Sequence, residues 1–169
     1  MAKPTRAENI EKMRELIKGI DMCMLTTVDE DGSLRSRPMS TQEVEFDGDL
    51  WFFTGASTDK VTEVSREQQV NISYADAGNN RFVSVSGMAR LVRDKKKIKD
   101  LWNPFLKAWF PDGLEDPDLA LLKVTVHKAE YWDAPHGKVA TLLGFVKALA
   151  TGENADDVLE NEKLTLKRS

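Results

Sequence analysis

Ile10, Met13, Leu16 and Ile17 recur at the three- and four-residue spacing of one helical face. They follow Thr5-Arg6-Ala7-Glu8, which has the form of a capping box, and precede Gly19, a residue suited to ending a helix, so a first helix with one packed face is predicted. From Asp21 the period shortens. Runs at residues 22–28, 34–46 and 50–54 are punctuated by Asp29-Glu30-Asp31-Gly32 and Asp47-Gly48, whose Asp-Gly steps supply the positive φ of tight hairpins. Pro38 cannot donate to a sheet ladder, which predicts an interruption or bulge in the long second strand. A helix over 58–67, a strand at 70–74, a polar turn at 76–80 and a strand at 82–92 follow, giving five strands around one helix.

Residues 93–99 read as a charged helical connection, and Asn103-Pro104 as a second helix start. Leu101, Trp102, Phe105, Leu106, Trp109 and Phe110 are too apolar for a solvated loop and must cover a core, a pocket or a partner. Residues 121–131 alternate Leu122, Val124 and Val126 with Lys123, Thr125 and His127, as a strand with one wet face does, and Trp132 ends it. Val139, Leu142, Leu143, Val146 and Leu149 restore helical spacing up to Gly152. The organisation expected is one domain over 1–150, mainly β with flanking helices, and a polar tail over 151–169, loosely held unless Leu164 and Leu166 dock.

With 169 residues, 41% of them hydrophobic, the chain can bury one core. A formal net charge of −4 without a basic block predicts neither a nucleic-acid nor a membrane partner. Cys23 is the single cysteine and lies in an apolar run, which predicts an inert buried thiol, no intrachain disulfide and a cytoplasmic location; the Asn71-Ile72-Ser73 sequon is then a chance match. Two distant histidines and one cysteine offer no ligand pair, so no metal site is expected, and neither a P-loop nor a Gly-x-Gly-x-x-Gly turn is present.

The chemistry that remains lies in one strand–strand–helix unit. Arg35 and Arg37 alternate onto one face of their strand, Phe53 and Thr54 close the next, and Ser57, Thr58 and Lys60 open the helix. A lysine in a first turn opposes the positive end of the macrodipole unless an anion is shared, so Arg37 and Lys60 meeting at that helix start would make a site for a phosphate dianion. Read singly, the arginines are surface cations paired with acids such as Glu43 or Glu45, and Ser57, Thr58 and Lys60 are an ordinary cap with a surface lysine. Trp51 and Phe52 read as buried strand residues. Trp132 is either core or a flat surface for a heteroaromatic ring, and His136 a base or a loop residue.

Several stretches, taken in order, resemble the pyridoxamine 5′-phosphate oxidase-like split β-barrels that bind FMN, and specifically their general stress protein branch. They are Met24-Leu25-Thr26-Thr27, Arg37-Pro38-Met39-Ser40, Trp51-Phe52-Phe53-Thr54, Val83-Ser84-Val85-Ser86-Gly87, Trp109-Phe110-Pro111-Asp112-Gly113 and Ala129-Glu130-Tyr131-Trp132-Asp133-Ala134-Pro135. The resemblance implies a homodimer with FMN in a cleft between protomers. It implies that Arg37 and Lys60 bind the phosphate, with Thr58 as a capping hydroxyl that Ser57 shares. Pro38, Met39 and Ser40 would then continue the backbone toward the flavin, Phe53 and Thr54 lie beside the isoalloxazine, and Trp132 join late in the chain.

Two departures from the true oxidases stand out. Phe82 occupies the place of a glutamine on the fifth strand, with Asn80 or Arg81 as replacements, and Asp133-Ala134-Pro135-His136-Gly137-Lys138 replaces the Arg-x-His substrate motif. Pyridoxamine phosphate oxidation is therefore not expected. An FMN-dependent oxidoreductase linked to stress and a non-catalytic flavin-storage or interaction protein both remain open, with deazaflavin and FAD as cofactor alternatives and haem the least expected, since His127 and His136 are the only imidazoles.

Overall fold

The computed structural model describes residues 3–42, 45–134, 137–152 and 159–167. Helix α1 (Arg6–Ile17) starts at the expected capping box, in which the Thr5 hydroxyl accepts from the Glu8 amide and Glu8 accepts from the Thr5 amide. Strands β1 (Met22–Val28), β2 (Leu34–Ser40) and β3 (Asp49–Gly55) follow, then α2 (Asp59–Arg66), β4 (Gln69–Asp76) and β5 (Arg81–Val92). Helix α3 (Lys95–Leu101), short 3-10 helices at Pro104–Ala108 and Gly113–Glu115, β6 (Leu119–Asp133), α4 (Gly137–Thr151) and β7 (Glu160–Thr165) complete the chain.

The strands form one antiparallel sheet in the order β2-β1-β4-β5-β6-β3, with β7 also paired to β6, and it curls into a split β-barrel with flanking helices. Long β6 makes the curl possible: its first half pairs with β3, its second half with β7, and β5 runs along nearly all of it. Alternation turns Leu25, Ile72, Val85 and Ala129 inward in one register row, while Met24, Ser73, Ser84 and Glu130 face outward in the next. Met13 and Leu16 of α1 close the interior.

The tail contributes more than expected. Leu164 and Leu166 are buried in the main core, and Asn9 and Arg6 of α1 donate to the carbonyls of Thr165 (2.9 Å) and Leu166 (3.1 Å). A second core lies on the other face of β3, where Phe53 and Leu121 meet Ile98, Leu106 and the edge of the Trp102 ring at 5.8 Å. Part of the aromatic segment thus covers a core, but Phe105 and Trp109 remain exposed.

Two expectations are corrected. The second strand stops at Ser40 instead of Phe46, and Pro38 sits opposite Met24 without interruption because β2 is an edge strand whose outer side needs no amide donor. The irregularity falls instead between Ser86 and Gly87 in β5. There a Cβ on Gly87 would stand 2.5 Å from the Thr125 carbonyl oxygen and 2.9 Å from Val124 Cγ1. Burial pushes the Cys23 thiol up to about 12, and its sulfur donates to the Met39 carbonyl at 3.5 Å.

The bulge gives a direct test of this packing. Gly87→Ala is expected to lower unfolding free energy by about 1–3 kcal/mol, since backbone must shift to admit the methyl group. Urea denaturation with an unchanged midpoint would show that the β5–β6 contact is looser than described.

Candidate functional site

Register builds the site. Thr27 and Leu25 alternate inward on β1, and Arg35 and Arg37 lie directly opposite them on β2, so both guanidiniums point toward the end of the barrel that α2 covers. Helix α2 buries Val61 and Val64 on its packed face, and between them it carries Glu63, only 2% exposed. A carboxylate so placed needs partners, and it has three. Glu63 Oε1 accepts from Arg35 Nη1 at 2.9 Å, while Oε2 accepts from Arg37 Nη2 at 2.7 Å and from the Thr27 hydroxyl at 2.5 Å. Thr27 Oγ1 in turn accepts from Arg37 Nη1 at 2.5 Å.

Burial alone would push the Glu63 carboxyl up; the Thr27 hydroxyl, the Arg37 hydrogen bond and the charges of both arginines outweigh it and hold it below its ordinary value. Arg35 is also within 3.5 Å of Asp29 and 3.8 Å of Asp59, both near the surface. Arg37 is the more enclosed of the two, its side chain 16% exposed.

One turn before Glu63, Lys60 reaches back along the start of α2. Its ammonium donates to Thr58 Oγ1 at 3.3 Å and Thr54 Oγ1 at 3.4 Å. Partial burial lowers its pKa, and so does the neighbouring positive charge of Arg37, partly offset by Glu63 and Asp59. The two cations are therefore close enough to act on each other. Thr58 is the N-cap residue, yet its hydroxyl donates to the Gly55 carbonyl at 2.8 Å and caps no amide. First-turn amides at Asp59 and Lys60 lack helical acceptors and point their dipoles the same way. Ser57 is engaged elsewhere: its amide and hydroxyl both donate to Asp118, at 2.9 and 2.8 Å, which pins the turn leading into α2.

Arg37, Thr54, Thr58 and Lys60 thus lie near one corner, and the side chains of the other expected residues point elsewhere. Phe53 points into the second core, and Met39 into the first. Pro38 and Ser40 are exposed on the outward sheet face, alternating with Arg37 and Met39. Trp132 also lies outward, opposite Phe82, on the face away from Arg37. Asn80 adopts φ 53°, and Arg81 forms a salt bridge with Asp133 at 3.0 Å. His136 lies outside the described residues. Of the acids named as partners for the arginines, Glu45 instead pairs with Arg14 at 2.8 Å, and Glu43 lies outside the described residues.

Glu63, Thr27 and Asp118 were not anticipated. For Glu63 a signal existed, since it lies three residues after Lys60 on the side of α2 that also carries apolar Val64, where a solvated charge is out of place. Thr27, fully buried on a strand of apolar inward residues, offered a weaker one. Among the described residues no cluster of three or more His, Cys, Asp or Glu could hold a metal ion, and no helix is long and apolar enough to cross a membrane.

Known proteins share this architecture. Residues 8–156 match the family described as Pyridoxamine 5'-phosphate oxidase like. Protein bli-3 of Neurospora crassa is 29% identical over 158 residues, covering 88% of this chain and 76% of its own. A structure described as a general stress protein 26, from Jannaschia sp. CCS1, is 27% identical with a TM-score of 0.74, covering 94% of this chain and 99% of that one. The general stress FMN/FAD binding protein of Xanthomonas citri is 32% identical with a TM-score of 0.64, covering 75% and 89%.

The depressed Glu63 carboxyl carries a pH signature. Its contribution to stability is complete above the unfolded value of about 4.3 and is lost as pH falls through the lower folded value. The stability difference between the native chain and Glu63→Gln should therefore shrink on acidification below about pH 4. Denaturant midpoints that keep the same separation from neutral to acid pH would contradict the ion cluster.

Proposed function

This chain belongs to the Pyridoxamine 5'-phosphate oxidase like family, and we propose that it binds FMN by its phosphate at the corner where β2, β3 and α2 meet. The observation that carries this reading is the nearness of Arg37 to Lys60 at the start of α2, where the two positive charges act on each other and the Lys60 ammonium donates to the Thr54 and Thr58 hydroxyls. A phosphate dianion relieves their mutual repulsion and fits the dipole. Lys60 and the remaining N–H groups of Arg37 would hold it, with the Thr54 and Thr58 hydroxyls in hydrogen-bonding range of the same ammonium. Asp118 would act from behind, by fixing the turn at Ser57. The FMN/FAD binding relative from Xanthomonas citri supports flavin as the cofactor.

A homodimer completes this reading. Trp132 and Arg37 lie on opposite faces of one sheet, so a flavin that meets both must lie between two copies. Met22, Met24 and Phe82 on the outward face are 52%, 41% and 41% exposed, and Leu142, Val146 and Leu149 of α4 are exposed as well, which supplies apolar surface for the contact. The barrel strands thus supply one candidate contact, and Phe105 and Trp109, exposed beside the second core, supply the other.

Bound flavin supplies hydride and single-electron transfer; the chain's residues orient it and limit access of water. We read the protein as a cytoplasmic, stress-linked oxidoreductase that does not oxidise pyridoxamine phosphate, because Asp133-Ala134-Pro135 stands where the substrate motif belongs. A non-catalytic flavin holder is the second reading, favoured by one observation: the acid nearest the corner, Glu63, is spent on two arginines and cannot serve as a base. Bleaching of the flavin by NADH or NADPH without oxygen supports the enzyme, and an inert flavin supports the holder.

Lys60→Ala is expected to weaken FMN binding about 10- to 100-fold, the worth of a hydrogen bond to a charged group. Riboflavin, lacking the phosphate, should bind less well and respond little. Equal losses for both ligands in a fluorescence titration would remove Lys60 from the phosphate. In sedimentation, Met24→Glu with Phe82→Glu should shift the protein toward monomer, and an unchanged dimer would place the contact elsewhere.

A further inference from the structure

We propose that Glu63 is an internal competitor of the phosphate: a buried counter-anion that holds Arg37 ready in the unliganded protein and thereby limits how tightly a phosphate monoester is held. The inference rests on the phosphate corner proposed above. Both terminal nitrogens of Arg37 already have protein acceptors, Nη2 on Glu63 at 2.7 Å and Nη1 on Thr27 at 2.5 Å. A phosphate that engages Arg37 must share this guanidinium with a carboxylate. That carboxylate is 2% exposed, so water does little to screen it from an incoming dianion.

The cluster is otherwise cationic, with Arg35, Arg37 and Lys60 set around the single enclosed acid; Asp29 and Asp59 act on Arg35 from the surface. Glu63 therefore does two opposed things. It stabilises the cations when no phosphate is present, and it repels the phosphate when one arrives. Replacing it with a neutral isostere removes both effects, and the ligand then supplies the counter-charge that the protein lacks. Thr27 still holds Arg37 Nη1, so the orientation of the guanidinium survives.

Native protein, Glu63→Gln and Glu63→Asp are titrated with FMN, riboflavin and inorganic phosphate at one ionic strength, by flavin fluorescence and calorimetry. Glu63→Gln should bind FMN and inorganic phosphate about tenfold tighter, with riboflavin unchanged, while Glu63→Asp, which keeps the charge, should stay near the native values. Unliganded Glu63→Gln should also melt lower and gain more from phosphate than native protein does.

FMN binding by Glu63→Gln that is unchanged or weaker overturns the proposal, as does a Glu63→Asp variant that behaves like Glu63→Gln. Should Glu63→Gln fail to fold, Arg35→Gln/Glu63→Gln, which removes one cation with the anion, is compared with Arg35→Gln, and the same gain is expected. If native protein does not prefer FMN to riboflavin, the phosphate corner itself fails and the inference with it. If that preference holds and the glutamine variant gains nothing, only the role of Glu63 is lost.

Discussion

One buried carboxylate ties the functional end of this barrel together. Glu63 joins helix α2 to the edge strand β2 through Arg35 and Arg37, and to β1 through Thr27. Edge strand β2 is hydrogen-bonded on one side only and carries a proline, so little else in the ladder fixes its side chains. Without the carboxylate, two guanidiniums would sit against a helix whose first turn already presents a positive dipole and an ammonium. The same group that makes this arrangement possible is the one proposed to set its affinity for anions.

The barrel serves this corner by rigidity. Paired on β5, β3 and β7, β6 couples both cores, and the close contact of Gly87 with Thr125 keeps β5 tight against it. Beside β6, Asp118 fixes the turn that aims α2. Thr54 and Thr58 then confine the Lys60 ammonium, whose pKa burial and Arg37 both lower. Chemistry at the corner is recognition of charge; on the proposed reading, any redox work belongs to the bound flavin.

Local patterns were legible in the sequence where the cause is local. The Thr5–Glu8 box, the Asp31-Gly32 hairpin turn and the alternation of β6 depend on near neighbours, and the structure follows them, whereas Asp47-Gly48 keeps a positive φ at Gly48 but closes no hairpin, because β3 pairs with β6 and not with β2. Arg37 and Lys60 could be matched because a strand face and a helix first turn are themselves short-range features. Glu63 could not be assigned to Arg37, because their contact spans 26 positions and depends on how α2 folds back over β1. Pro38 was misread as a break since its tolerance depends on β2 being an edge, a property of strand order. Phe53 looks like a pocket aromatic in sequence, yet a second core claims it together with Trp102, whose segment left core, pocket and partner open. The docking of Leu164 and Leu166 likewise required the free side of β6.

The central claim is that a flavin's terminal phosphate, as a dianion, sits between Arg37 and Lys60. Phosphorus NMR of bound FMN across pH measures it most directly. A monoester in water loses its second proton at about pH 6, and clustered cations favour the dianion. The account predicts a bound phosphate whose second pKa is displaced downward and returns toward the free value in Lys60→Ala. A bound flavin whose phosphate titrates as it does in free solution would contradict it.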